Sequence, residues 1–600
     1  MSSAASRRKS TQEFVLPDGK KVVVTSPLKY EELRRQYAHQ KEMEVEVVIH
    51  GSDEHTNYLR QSLDHHNARL EEFRKDHGPH FHEWENTHDQ INAVHTQLRR
   101  ISTQSSGLSG NFSKYGFNAS LRSYSDHKDE ETPMVGKLFE NVREEPTRTV
   151  KLAKKPVIKQ WFHRGLLWRA SEQKEIMAIE LFFDLVYASI IHDNGERLTL
   201  EPDGFTLLRF AITFIMSWKI WTDITLCLSW FESDDVLTKI ELLFEISCLL
   251  AFTVNITHCL NPNPVYNTYT QLVTFYLAAR YSRAIHYAYV AYALPKVRGV
   301  MLTSCAEIVL PSALWIASIH VEMPYKLAII WPALFIDTYG QLISITMIRY
   351  ARTFGRETRF GKLVNRCYEF YPAINIEHKV GRTKAFLSLV SGYSVVGLLF
   401  QSTGGYFVNG FLGKAIMGML LAFVYNWLYF EVDDQGVSRH AIRRSISAAL
   451  VWQFAHLPAI MGYIVAASAL MRLVMTEDVP DAWPEQVVPG QRSRIHAAFE
   501  SSSRWLFCGG LAVTLFFMAV ITLCHEHRRP QTMRCPKSWR IVNRLVVCVV
   551  MLCLPVCPGL RSLDLLAITL GISVWVLIFD IWGASCKEDT WFGEKERDEE

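Results

Sequence analysis

Two acidic residues stand one helical turn apart inside an apolar segment, and they are the first candidates for chemistry. Glu180 and Asp184 lie in the stretch IMAIELFFDLVYASII, where a spacing of four residues places both carboxylates on one face of a helix. At low dielectric constant two neighbouring carboxylates disfavour double ionisation, so one takes up a proton or pairs with a cation. The pair therefore predicts the binding of protons or cations inside a membrane.

Further ionisable residues recur at helical spacing in other apolar segments. They are Lys219, Asp223, Glu241, Glu245, Arg280, Arg283, His286, Glu307 and Asp337. A charged side chain at membrane depth costs roughly 2.5–3.5 kcal/mol on insertion scales, so such residues face protein or water. Either they pair across helices and fix the packing, or they line a path for protons, ions or a charged solute. We favour the path, because a helix bundle needs few charges merely to pack.

Three more residues complete the set of candidates. His456 lies within an apolar segment two residues before Pro458, where it is either a hydrogen-bonded core residue or a ligand. His378 and Arg382 lie in the connection before the seventh apolar segment. The sequence contains no P-loop, G-x-G-x-x-G, H-E-x-x-H or G-x-S-x-G motif in a supporting context, so it predicts no catalytic residue.

Histidines are concentrated in the first 150 residues, which hold 11 of the 22. Imidazoles suit zinc and copper, so a metal cluster is one interpretation. No H-x3-H pairing with carboxylate or cysteine partners closes a recognisable site, and a solvated helical face is the interpretation we favour. We therefore expect neither a metal nor a cofactor.

The elements that must position these residues are membrane-spanning helices. Apolar residues make up 48% of the 600-residue chain and charged residues 21%, with long uncharged stretches after about residue 175. Twelve candidate spans follow, and 10 to 12 fit the pattern: 176–192, 205–230, 237–260, 268–293, 300–320, 325–348, 384–401, 411–430, 445–471, 504–524, 542–560 and 563–583. The eleventh carries Pro555 and Pro558 and either spans the membrane or re-enters it. The predicted fold class is all-α.

We divide the chain into three regions. Residues 1–160 form a polar, partly ordered cytosolic region with a small hairpin at Phe14–Val24, a helical hairpin and a Ser-rich linker. Residues 161–586 form the transmembrane bundle, and residues 587–600 form a charged tail. We expect no cleavable signal peptide, because the N-terminus lacks an apolar stretch, and no disulfide framework. The net charge of +3 leaves no basic footprint for nucleic acid.

The distribution of basic residues predicts the orientation. Short connections after even-numbered spans hold about 20 Lys and Arg, and those after odd-numbered spans hold about eight. This bias places both termini in the cytosol. The sequence does not indicate which membrane holds the protein.

Several motifs together resemble one protein family. The segment ELFFDLVYASII (Glu180–Ile191) is similar to the opening helix of the low temperature requirement A membrane proteins. Similar segments follow in the same order: WFESDDVLTK (Trp230–Lys239), FYLAARYSR (Phe275–Arg283), IIWPALFIDTYG (Ile329–Gly340), WLYFEVDD (Trp427–Asp434) and FAHLPAIMGYIV (Phe454–Val465). The resemblance covers roughly residues 160–585. The long polar N-terminal region resembles the eukaryotic, fungal-type branch.

The chain departs from the family pattern at two acidic positions. The bacterial pattern runs H-x-x-E-R-F-G and then L-G-E-S, and His378 and Arg382 match it while Gly381 and Tyr393 replace the two acids. The resemblance implies a multi-span membrane protein, and the family name records a growth requirement in the cold without assigning an activity.

Three functions compete. The leading one is proton- or ion-coupled transport of a small solute or ion, since a long basic connection divides the spans six and six, although we find no sequence repeat between the halves. In it Glu180 and Asp184 take up protons or cations, while Arg280 and Arg283 tune them or hold an anionic solute. The second is a membrane-embedded enzyme acting on lipid, with His378, Arg382 and His456 near one reaction centre. The third is a non-catalytic scaffold that supports growth in the cold and whose N-terminal region recruits a cytosolic partner.

The predicted orientation can be tested by glycosylation. The sequons at Asn111 and Asn118 face the cytosol in this orientation and should stay unmodified in a eukaryotic host. Gln491→Asn creates the sequon Asn-Arg-Ser in the connection after the ninth span, which should be glycosylated. A glycosidase-sensitive mobility shift that appears only with this substitution is expected. A shift in the unsubstituted chain would contradict the orientation.

Overall fold

The computed structural model describes two compact units, each of them taken by itself below. One unit comprises residues 1–149 and 169–173, and the other comprises residues 150–168 and 174–600. The described residues are 11–15, 21–25, 45–49, 152, 155–158, 160–163, 166–168, 176–232, 235–353, 358–368, 370–399, 408–432, 437–527 and 533–585. The predicted helical hairpin, the Ser-rich linker and the charged tail lie outside these residues. The domain limits at residues 160 and 586 stay predictions.

The first unit contains a three-stranded sheet. Strands β1 (Thr11–Val15) and β2 (Lys21–Thr25) pair antiparallel, with Phe14 opposite Val22. This pairing confirms the predicted hairpin. Strand β3 (Val45–Ile49) pairs parallel with β2 and was not predicted.

The second unit is a bundle of long helices, which confirms the predicted all-α fold class. Among the described residues, twelve helices have 17 residues or more: α1 Ala178–Leu200, α2 Gly204–Trp230, α3 Val236–Val254, α4 Tyr269–Ala293, α5 Arg298–Ile319, α6 Tyr325–Thr353, α7 Ile376–Gly397, α8 Gly410–Trp427, α9 Ile446–Val474, α10 Ser501–Cys524, α11 Lys537–Cys553 and α12 Ser562–Ala584. One helix lies at each of the twelve predicted spans. Shorter helices at Arg359–Cys367 and Ala441–Arg444 precede α7 and α9.

Apolarity divides the long helices into two groups. Eight are long and apolar enough to cross a membrane, and these are α2, α5, α6 and α8–α12. The other four, α1, α3, α4 and α7, each contain at least three Asp, Glu, Lys, Arg or His residues. Each of these four therefore needs partners inside the bundle for its charges.

The seventh helix begins earlier than the sequence indicated. It starts at Ile376 rather than residue 384, so the predicted placement of His378 and Arg382 in a polar connection is wrong. The Asn375 side chain caps the helix by accepting a hydrogen bond from the His378 N–H at 3.2 Å. The side chains of His378 and Arg382 are both buried. Their charges are tolerated inside the bundle because they are paired.

The eleventh helix continues into a 3-10 turn at Leu554–Val556. Together they cover 20 residues, long and apolar enough to cross a membrane. Of the two alternatives for this segment, its length and composition favour a span.

Short strands join the helix ends at one end of the bundle. They are β4 Val157–Ile158, β5 Trp161–His163, β6 Leu166–Trp168, β7 Phe231–Glu232, β8 Phe370–Pro372, β9 Val437–Arg439 and β10 Glu526–His527. Strand β5 pairs with β6 and β8, β4 pairs with β7, and β9 pairs with β10. They lie before α1, α7 and α9 and after α2 and α10, so they tie together the end at which α1 and α7 begin.

The two halves of the bundle pack in the same order. In the first half α1 packs against α2 and α3, α2 packs against α6, and α3, α4, α5 and α6 pack in sequence. In the second half α7 packs against α8 and α9, α8 packs against α12, and α9–α12 pack in sequence. The halves meet where α1 and α2 contact α7 and α9.

A close approach of α9 and α10 at Gly462 and Gly510 provides a test of this packing. A Cβ at Gly510 would lie 2.6 Å from the carbonyl oxygen of Gly462, whereas a Cβ at Gly509 would meet nothing within 4 Å. Gly510→Ala should therefore destabilise the protein by about 1–3 kcal/mol, since the backbones must separate. Gly509→Ala is the matched control and should keep or raise the Tm in detergent. Equal Tm values for the two variants would contradict the close crossing.

Candidate functional site

The first buried network joins α1 to α7. Nε2 of His378 lies 2.8 Å from Oε2 of Glu180, and Arg382 donates to the same oxygen at 3.1 Å. Arg382 also donates to Oδ1 of Asp184 at 2.7 Å. The side chains of Glu180, His378 and Arg382 are fully buried. Two alternatives were expected for the first-span acids, a bound proton or a paired cation, and the contacts with Arg382 match the second.

An aromatic residue of α2 completes this network. Trp221 donates from Nε1 to Oδ1 of Asp184 at 2.8 Å. The Nζ of Lys379 lies 5.1 Å from the Trp221 ring centroid, and the Arg382 guanidinium carbon lies 5.9 Å from it. Neither Trp221 nor Lys379 was singled out from the sequence, because each lies on a different helix from the acids that reveal its role.

The second network lies deeper in the first half and joins α2, α4 and α6. Lys219 Nζ lies 2.7 Å from Oδ1 of Asp223, and Arg280 forms ion pairs with both Asp223 and Asp337, the latter at 2.8 Å. Two cations and two carboxylates therefore balance in charge. Arg280 and Asp337 lie near the middle of α4 and α6.

Two neighbouring side chains fix the orientation of Asp337. Tyr276 and Trp315 donate hydrogen bonds to its Oδ2 at 2.6 and 2.8 Å. Asp337 is the one acidic residue of α6. Its partners come from two neighbouring helices, Tyr276 from α4 and Trp315 from α5.

The third network joins α3 and α4. Arg283 donates to both carboxylate oxygens of Glu245 at 2.8 and 2.7 Å and lies 3.4 Å from Glu241. Nδ1 of His286 lies 2.7 Å from Oε2 of Glu241. Arg283 is therefore engaged by acids of α3, and not by Asp337 as its neighbour Arg280 is.

His456 belongs to a different set of contacts. Its Nε2 lies 2.9 Å from the Tyr429 hydroxyl, and its Nδ1 lies 2.6 Å from the carbonyl oxygen of Trp452. These contacts are those of a hydrogen-bonded core histidine. His378 and Arg382 bind the acids of α1 instead, so these hydrogen bonds do not join the three residues of the enzyme hypothesis.

A cavity opens onto the second network. Its walls come from α2, α4, α5 and α6 and from Tyr368 and Tyr371 of the connection before α7. The cavity has a volume of about 30 Å³. This is enough for roughly two water molecules at about 10–15 Å³ each. Lys219, Asp223 and Arg280 line it, so the second network borders a space with room for water, whereas no residue of the first network lines this cavity.

The sequence analysis also missed buried charges in the second half, among them Arg544, Asp580 and Lys414. Arg544 of α11 lies 2.6 Å from Oδ2 of Asp580 on α12. Lys414 of α8 is fully buried and donates to the Leu473 carbonyl oxygen at 3.2 Å and to that of Thr476. Each lies near the end of its predicted span, where a charge is ordinarily expected to reach water.

One histidine outside the spans is held neutral. His525 follows α10, and burial, together with the neighbouring His440, lowers its pKa to about 3. Its Nδ1 accepts a hydrogen bond from the Ala441 N–H at 3.2 Å. Within the described part of the chain, no group of three His, Cys, Asp or Glu residues could hold a metal ion.

The fold and these networks define the class of protein: a polytopic helical membrane protein with charges paired inside its bundle. A family model described as bacterial low temperature requirement A protein matches residues 175–578, about two thirds of the chain. The chain belongs to the low temperature requirement A family, and the resemblance found in the sequence is confirmed. No curated protein and no solved structure matches it.

The first network predicts a large loss of stability when its cation is removed. Arg382→Gln leaves Glu180 and Asp184 buried without their guanidinium partner, which should cost about 3–5 kcal/mol. Arg494→Gln is the control, since its ion pair with Glu196 is partly exposed and should contribute about 0–1 kcal/mol. Thermal unfolding in detergent measures both. Equal losses of Tm would contradict the central role of the Arg382 pairs.

Proposed function

We propose that this membrane protein carries out proton- or ion-coupled transport of a small solute or ion. The observation that carries the proposal is the water-accessible cavity that reaches Lys219, Asp223 and Arg280 near the middle of the bundle. A polar network exposed to enclosed water at membrane depth is typical of ion paths. The family match supports a membrane protein and leaves the activity open.

Asp223 is the centre of the proposed mechanism. It accepts contacts from both Lys219 and Arg280, so a proton arriving through the cavity and neutralising Asp223 weakens both ion pairs at once. Arg280 keeps Asp337 as its partner, while Lys219 becomes available to another anion. Loss of the proton restores the original pairs. The uptake and release of one proton is in this way coupled to a rearrangement among α2, α4 and α6.

The direction of access follows from the cavity walls. Trp230 lies at the end of α2, Val300 at the start of α5, and Tyr368 and Tyr371 before α7. These positions belong to the end of the bundle where α1 begins. With the orientation that the charge bias supports, both termini are cytosolic and the cavity is reached from the cytosolic side.

Proton flux into liposomes tests the proposal. Purified protein would be reconstituted with an internal pH dye, and a potassium diffusion potential would drive the flux. Asp223→Asn should lower the flux about tenfold or more, because the neutral side chain cannot take up a proton. Asp580→Asn is the matched control, since it breaks a buried ion pair between α11 and α12 and should retain the flux.

Two outcomes would contradict the mechanism. Flux in Asp223→Asn equal to that of the unsubstituted protein would remove Asp223 from the path. The absence of flux above that of empty liposomes would shift weight to the enzyme and scaffold hypotheses. Glu180→Gln and Asp184→Asn extend the comparison: loss of flux there, in protein that elutes as a single species, would place the path through the first network.

A further inference from the structure

One carboxylate on the cavity wall has no basic partner. Glu307 of α5 faces the cavity, and the Ser344 hydroxyl of α6 donates a hydrogen bond to its Oε1. Among the described ion pairs, none includes Glu307. Because the Lys219, Asp223, Arg280 and Asp337 charges balance one another, the Glu307 carboxylate adds a net negative charge to the wall of a cavity with room for water. Lys219 acts on it electrostatically but forms no ion pair with it.

The surroundings of Glu307 are rich in oxygen atoms. Thr303 and Ser304 precede it by four and three residues on the cavity-lining face of α5, and Gln341 and Ser344 line the cavity from α6. Carboxylate, hydroxyl and amide oxygens are the donors that hard cations prefer. A single carboxylate and space for about two waters suit one small monovalent ion, whereas divalent cations recruit several carboxylates.

We propose that Glu307, together with the hydroxyl groups of Thr303, Ser304 and Ser344, forms a binding site for a monovalent cation, either a proton or an alkali ion. The cation compensates the one unpaired charge of the cavity. The charged and titratable groups that face the same cavity are Lys219 and Asp223 of α2, Arg280 and Tyr287 of α4, and Tyr368 and Tyr371 before α7. The role of the site in transport rests on the proposed function, but binding is measured without flux.

Thermal stability in detergent tests this site, because a ligand that binds only the folded protein raises its Tm. The Tm would be measured in NaCl, in KCl and in choline chloride at matched ionic strength, and across pH 5–9 in choline chloride. A rise of several degrees with NaCl or KCl assigns an alkali ion. A Tm that varies with pH and not with the salt assigns a proton. Either response should be lost in Glu307→Gln and weakened several-fold in Ser344→Ala.

The control is Glu322→Gln, at an exposed acid between α5 and α6, which should respond as the unsubstituted protein does. A Glu307→Gln protein that keeps the full response, or an unsubstituted protein without any response, would overturn the site. Binding that persists while liposome flux is absent would instead overturn the transport function and leave the site standing.

A second observation, independent of the cavity, concerns the two halves of the bundle. Local features recur at equivalent places in both. Asp203-Gly204-Phe205 and Asn409-Gly410-Phe411 begin the second helix of each half with a capping side chain, which accepts from the N–H of Thr206 and of Leu412. Sequence comparison alone misses so short a match.

Two further features recur after the third helix of each half. Arg209 of α2 donates to the Thr257 carbonyl oxygen beyond α3, and Lys414 of α8 donates to those of Leu473 and Thr476 at the end of α9. The connections that follow contain Leu260 and Asp481 with φ of 61° and 65°, the positive-φ non-glycine residues of the described chain.

The first helix of each half supplies the central correspondence. Glu180 and Asp184 are the third and seventh residues of α1, and His378 and Arg382 are the third and seventh residues of α7. Position three contacts position three, and position seven contacts position seven. Residues beside a two-fold axis contact their own equivalents, so like charges there would repel.

We infer that α1–α6 and α7–α12 are structural repeats related by an approximate two-fold axis along the bundle, and that the first network is the joint between them. Acids on one repeat and bases on the other turn an otherwise repulsive contact into two ion pairs. Both repeats contain six helices and begin at the same end, so they have the same direction in the membrane.

Exchange of charges across the joint tests this equivalence. Asp184→Arg and Arg382→Asp should each lower the Tm in detergent, because each places like charges together. The combined variant should recover part of the loss, since the ion pair between positions 184 and 382 is restored with its charges exchanged, while the carboxylate at position 382 still faces Glu180. Swapping Glu196 and Arg494, a partly exposed pair outside the joint, is the control and should change little in any combination. A combined variant as unstable as the sum of the two singles would overturn the equivalence.

Discussion

The cost of burying charge governs this bundle. An ion moved from water into the protein interior or the lipid loses several kcal/mol of hydration, and only partners at hydrogen-bond distance compensate for the loss. The four helices that are too polar to be apolar spans therefore lie where each other's charges can reach them. Helix α1 carries acids and meets the bases of α7, and α3 carries acids and meets those of α4. The apolar helices fill the space around these contacts.

The first and second networks both contain paired charges, but only the second borders the cavity. The first is paired and buried, and its contacts lie where the two halves meet, so it suits a structural role. The second is also balanced, but Asp223 lines a cavity with room for water, which is the feature on which the proposed proton uptake depends. Glu307 also lines the cavity, and in our proposal an external cation compensates its charge. The two networks therefore differ in whether they border the cavity, and not in how many charges they contain.

The repeated packing order links architecture to this chemistry. A bundle built from two similar halves places its first helices side by side at the axis, where any charged residue meets its own counterpart. Divergence of one half towards acids and the other towards bases resolves that conflict. It also hides the relationship from sequence comparison, because the positions that correspond most closely carry opposite charges. The walls of the cavity come from the first half and the connection that follows it, so the halves differ in this feature.

The sequence by itself determined the membrane class, the family and the number and approximate limits of the helices, because hydrophobic length and motif order are local properties of the chain. It also identified Glu180, Asp184, Arg280 and Asp337 as unusual. It did not determine which residues pair. His378 was assigned to a connection because the stretch around it is polar, and its partner Glu180 lies 198 residues away in the chain. Only the tertiary structure decided the pairings and the cavity, because both arise where separate helices meet, and no spacing along one helix specifies its neighbour.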